Sequence, residues 1–178
     1  MVNSTDPGPS ILITTTGGRT RDRGIFVAWP DGVIAWSDDV VSGGAPYRMG
    51  QVEASALSEC LRELALDGRW LGERRLGPDA RWTHLVVNES AGALIDVGSW
   101  HELAERNPNL VATATGLEPL DGRSRDAVLA AQRSSYVEFR QRWVKVKRRA
   151  LALVQAAAEL PGQKDRARMP WPDADEAT

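Results

Sequence analysis

"FVAWPDGVIAW", residues 26–36, sets Trp29 and Trp36 around a Pro-Asp-Gly turn, and its reading decides the fold. Two β-rich arms flank the tetrapeptide Trp29-Pro30-Asp31-Gly32. Proline fixes φ at the second turn position, and Gly32 accepts the left-handed φ of a type I turn closed by a G1 bulge. That turn sets a register in which Ala28 pairs with Ile34 and Phe26 faces Trp36. Side chains alternate along a strand, so Trp29 and Trp36 point to opposite faces of the sheet. They are therefore not an aromatic clamp for a ligand. Trp36 is expected in the core opposite Phe26. Trp29 is expected to cover the second face, on the same side as Val27 and Ile25.

Working outward, "ILITTT" (11–16) reads as a strand, ended by the loop "GGRTRDRG" with Arg19, Arg21 and Arg23. Residues 38–50 read as a loop. Residues 51–68 show helical spacing, with Leu57, Cys60, Leu61 and Leu64 on one stripe and Gly68 as a C-terminal cap. "RWLGERRLGPDA" (69–80) reads as an irregular connection. Residues 81–98 form two strands around "NESAG", the first presenting Trp82, His84 and Val86 on one face and Thr83, Leu85 and Val87 on the other. "SWHE" (99–102) has the form of a capping box, Ser99 accepting from the backbone of Glu102, before a short helix that ends at Pro108. "NLVATAT" (109–115) is a further β-rich run, broken by "GLEPLDG".

From Ser124 to Leu160 there is no Pro or Gly, and apolar residues recur at heptad spacing. One row is Leu129, Tyr136, Trp143, Ala150, Ala157; the other is Phe139, Val146, Leu153, Leu160, interrupted early by Gln132. The pattern predicts one continuous helix of about 50 Å at roughly 1.5 Å per residue. A further row, Val137, Val144, Leu151 and Ala158, lies on another side. A helix with two apolar stripes has two things to touch. "PGQKDRARMPWPDADEAT" (161–178) reads as a disordered tail containing Trp171. The expected organisation is an α+β body over 1–122, a long amphipathic basic helix over 123–160 packed on or extending from it, and the tail.

The fold class that follows is α+β: a mainly antiparallel sheet with helices on one face and a long C-terminal helix. Of 178 residues, 42% are hydrophobic and 26% charged, enough for a real core. One cysteine, Cys60, excludes an intramolecular disulfide and suits a reducing compartment, and no apolar stretch reaches membrane-spanning length; the expectation is a cytoplasmic protein. Charge is uneven. Residues 1–122 carry 10 basic and 17 acidic side chains, whereas residues 123–149 carry 9 basic and 2 acidic.

No phosphate-cradling glycine pattern is present, and the two histidines, His84 and His101, lack a supporting ligand cluster at metal spacing. No metal or cofactor is expected. Asn88-Glu89-Ser90 matches a glycosylation sequon that a cytoplasmic chain would not use. Three functional readings follow. The first is a non-catalytic interaction or assembly module that self-associates, as a homo-oligomer, or binds another protein through Val137, Val144 and Leu151. The second is a nucleic-acid-binding accessory protein using Arg140, Arg142, Lys145, Lys147, Arg148 and Arg149 along a phosphate backbone. Against it, the acidic body is a ready partner for those same cations. The third is an enzyme with a dispersed site drawn from Asp38, Asp39, Asp96 and His101.

Overall fold

The computed structural model describes residues 8–17, 21–68, 71–72, 80–89, 92–160 and 169–170. The turn at its centre forms as its residues dictate. The Gly32 amide donates to the Trp29 carbonyl at 3.0 Å, and Gly32 takes φ +83°. Strands β2 (Arg23–Ala28) and β3 (Val33–Ser37) pair in the register Phe26↔Trp36, Val27↔Ala35, Ala28↔Ile34. Phe26 and Trp36 lie in the main core, while Trp29 packs with Val27, Ala35 and Met49 on the other face. Ile25 departs from the expected side. β1 (Ile11–Thr16) pairs Ile13 with Phe26 but Thr14 with Gly24, so Ile25 is an extra residue in β2. The bulge breaks the alternation, and Ile25 joins Phe26 in the core.

β4 (Tyr47–Gln51) follows within a stretch expected to be loop, and α1 (Ala54–Gly68) starts after it. The run "YRMGQ" carries little β signal of its own; pairing with β3 from Val33↔Gln51 to Ser37↔Tyr47 makes it a strand. β5 (Trp82–Glu89) and β6 (Gly92–Ser99) extend the other edge. With the late strand β9 (Ala158–Glu159), the resulting sheet has seven strands among the described residues, in the order β6-β5-β1-β2-β3-β4-β9, and every neighbouring pair is antiparallel. On β5, Thr83, Leu85 and Val87 are buried, as the alternation requires. α2 (His101–Ala104) is brief, and β7 (Leu110–Ala112) forms a small hairpin with β8 (Leu117–Pro119), a strand the breaking residues "GLEPLDG" had concealed.

The C-terminal region is not one rod. α3 (Arg125–Ala130) and α4 (Ser134–Ala156) are separate, and β9 (Ala158–Glu159) ends the region as a strand on β4. Neither Pro nor Gly makes the break. Gln132 makes it: its side-chain amide donates to the Val128 carbonyl at the end of α3, and its oxygen accepts the Ala114 amide. The first bond satisfies a carbonyl a continuing helix would use, and the second ties Gln132 to the segment after β7, where the chain turns. α4 at 23 residues spans about 34 Å. Its inner face buries Tyr136, Phe139, Trp143, Val146, Ala150 and Leu153 in the same core as the sheet and α1. The heptad rows thus describe a helix–sheet contact.

The capping box does not form either. Trp100 occupies the N-cap of α2 with no side-chain cap bond, and Ser99 Oγ meets His101 Nδ1 at 2.6 Å instead. Gly68 is an ordinary helical residue without positive φ. A Cβ there would clash with Ile95 Cδ1, so any larger residue must displace the end of that side chain where α1 approaches β6. Of the expected disordered tail only Met169 and Pro170 fall within the described residues, and Met169 packs on the Val27–Trp29–Met49 face. Trp171, and most of 69–80, lie outside them.

Candidate functional site

α4 presents three different surfaces. The inner one is core. A second surface carries charge and is tied to the acidic body. Arg140 makes a two-pronged pair with Glu105, at 2.6 Å to Oε1 and 2.8 Å to Oε2, and Glu105 also accepts the Ala112 amide. Burial works to raise the Glu105 pKa, but the bonds from Arg140 and the Ala112 amide hold it below the usual carboxylate range. Lys147, 5% exposed, donates to Glu102 at 2.7 Å. Lys145 reaches Asp67 at 2.9 Å, Arg149 reaches Glu63 at 3.0 Å, and Arg142 pairs with Glu138 one turn away at 2.5 Å. Among the described residues, Arg148 is the one of the six without an ion pair. The segment's positive charge is largely spent inside the molecule.

His101 sits within this network, 3% exposed, its ring edge-on to Phe139 and Trp143. Burial first, then the Arg140 charge, pushes its pKa down to about 4, against the pull of Glu102 and Glu105. The imidazole is neutral near pH 7 and closed off from solvent. The other dispersed candidates do not join it. Asp96 bonds His84 Nε2 at 2.5 Å, Asp38 pairs with Arg48 at 2.8 Å, and Asp39 accepts the backbone amides of Val41 and Ser42. Four residues with four separate engagements assemble no common site. Among the described residues no cluster of His, Cys, Asp and Glu has metal-binding form, and no helix is long and apolar enough to cross a membrane.

The third surface is a ridge along α4 with a groove on each side. Val144, 40% exposed, stands on the ridge with Arg148 and Ala152. The groove toward α1 encloses about 510 Å³ over a floor of Ala56, Cys60 and Leu153. Its walls differ in sign: Glu59 and Glu63 on α1, Lys145 and Arg148 on α4. The groove on the other side encloses about 450 Å³ and is closed by Val40, Val41 and Leu151. Cys60 is no nucleophile here. Burial and Glu63 push its thiol up to about 11, and Sγ lies 3.7 Å from the Arg149 carbonyl, so it stays protonated.

The ridge is the part of the second apolar stripe that remains outside. Val144 is exposed, whereas Leu151 packs partly against the core, Val137 is half-buried, and Ala158 belongs to β9. Val40 and Val41 carried no sequence signal for this surface, because a loop remote in the chain brings them to it. No family model, curated protein or solved structure matches the chain.

Proposed function

We propose that this protein is a non-catalytic assembly module that self-associates through the α4 ridge and its flanking grooves. The observation that carries the reading is Val144, a large aliphatic side chain 40% exposed between two apolar-floored grooves. Ridges that interlock with grooves are how helices pack. The charge pattern selects a second copy as occupant. The α1 wall is acidic and the α4 wall basic, so a two-fold axis across the groove sets Arg148 of one copy against Glu59 of the other. The single cysteine, Cys60, buried as a free thiol, suits a reducing cytoplasm.

The experiment is solution mass by light scattering for the wild type, Val144→Glu and Arg148→Glu. A dimeric wild type, with both variants monomeric and unchanged in circular dichroism, is the expected result. Val144 serves better than Leu151, because Leu151 also supports the core. A wild type that is monomeric at its highest attainable concentration overturns the proposal.

A further inference from the structure

A separate cavity of about 320 Å³, within the size range of small-molecule sites, opens between β5's start and α2. Two guanidinium side chains line it, Arg81 and Arg106, together with Ser42. Its remaining wall is apolar, from Trp100, Leu103 and Leu117. None of these residues belongs to the α4 ridge.

The cations are held in place but incompletely neutralised. Arg81 Nη2 donates to Thr15 Oγ1 at 3.0 Å, and that hydroxyl donates to the Ser42 carbonyl at 2.8 Å. Among the described residues, buried Arg81 Nε has no hydrogen-bond partner. Arg106 Nη1 donates to Ser42 Oγ. Among the described residues, the nearby acids are mostly engaged by other groups. Asp22 accepts from Thr16 Oγ1 at 2.6 Å, and Asp39 Oδ1 accepts two backbone amides, leaving its other oxygen 3.7 Å from Arg106 Nη2. Burial first, then the like charge of Arg23, lowers the Arg81 pKa; Asp22 pulls the other way, and Arg106 adds a smaller push downward. Among the described residues, this partly buried cation beside two others, with an orphaned N–H, lacks a full anionic partner.

We propose that this cavity binds a small organic anion, its phosphate or carboxylate head held by Arg81, Arg106 and Ser42 and its apolar body against Trp100, Leu103 and Leu117. Arginine suits the head because its fork offers paired donors to planar or tetrahedral oxyanions.

The test is calorimetric titration of the full chain with phenyl phosphate, benzoate, inorganic phosphate and, as a neutral control, benzyl alcohol. Saturable binding of phenyl phosphate or benzoate is expected, weakening with added salt. Arg81→Gln and Arg106→Gln should each lower the affinity about tenfold or more, the scale of one lost charge-assisted pair. Val144→Glu should leave it unchanged, which separates this site from the assembly surface. Arg106, with 57% side-chain exposure, provides a variant that folds if Arg81→Gln does not. No binding by either aromatic anion, or wild-type affinity in both arginine variants, overturns the proposal. Inorganic phosphate binding as tightly as phenyl phosphate overturns the apolar half of it.

Discussion

Gly32 and Gly68 show how one residue type serves two unrelated ends. At Gly32 the turn demands a left-handed φ of +83°. At Gly68 the backbone is ordinary, and the constraint is the Ile95 side chain, with whose end a Cβ would clash. Gly68→Ala gains up to about 1 kcal/mol of helix propensity but overpacks the α1–β6 contact, which typically costs about 1–3 kcal/mol. The expected net result is a loss of stability in denaturant unfolding. In an Ile95→Val background, which removes the offending methyl, the same change becomes neutral or stabilising. Equal cost in both backgrounds would mean the contact is not what requires glycine. The turn glycine was legible in "WPDG" because local chemistry decides it. The role of Gly68 was not, because Ile95 arrives from a strand far along the chain.

At the level of elements, α4 is fixed less by its heptads than by what its charges meet. Lys147 is 5% exposed and has Glu102 at 2.7 Å. Removing the acid strands a buried ammonium. Glu102→Ala is therefore expected to cost about 3–5 kcal/mol, whereas Glu102→Leu with Lys147→Met restores most of that. Chemical unfolding of the two variants measures the difference; similar losses would show the pair is not buried in effect. The apolar periodicity correctly indicated a helix over most of 124–160, and the acid–base imbalance between the body and residues 123–149 anticipated the ion pairs. The break at Gln132 was invisible, because it depends on the Ala114 amide. β4 and the Ile25 bulge were missed for the same kind of reason: both are imposed by neighbouring strands, not by the segment itself.

Across the whole molecule, the buried imidazole couples stability to pH. His101 has a folded pKa of about 4 against an ordinary histidine value of 6.5, so the unfolded chain binds more protons between those values. Stability is fully present above pH 6.5 and is lost as pH falls toward 4. The largest loss from this group is on the order of 3 kcal/mol. Urea unfolding at pH 7.5 and pH 4.5 should show a smaller drop for His101→Asn than for the wild type; identical drops would remove His101 as the source. The fold class was legible because turn chemistry and alternation repeat along the chain. The grooves beside the ridge and the arginine cavity were not, because each is built from segments that only the finished fold brings together.

The seventh strand has a consequence for how the chain is made. β4 offers its outer edge from Tyr47–Gln51 onward, yet the segment that covers it, Ala158–Glu159, is synthesised more than a hundred residues later. An uncovered strand edge is a template for pairing with another chain. On a polysome, nascent copies emerge side by side, each with that edge bare until its own last strand leaves the ribosome. Translation speed through residues 52–157 therefore sets how long neighbouring copies have to capture one another in the wrong pairing.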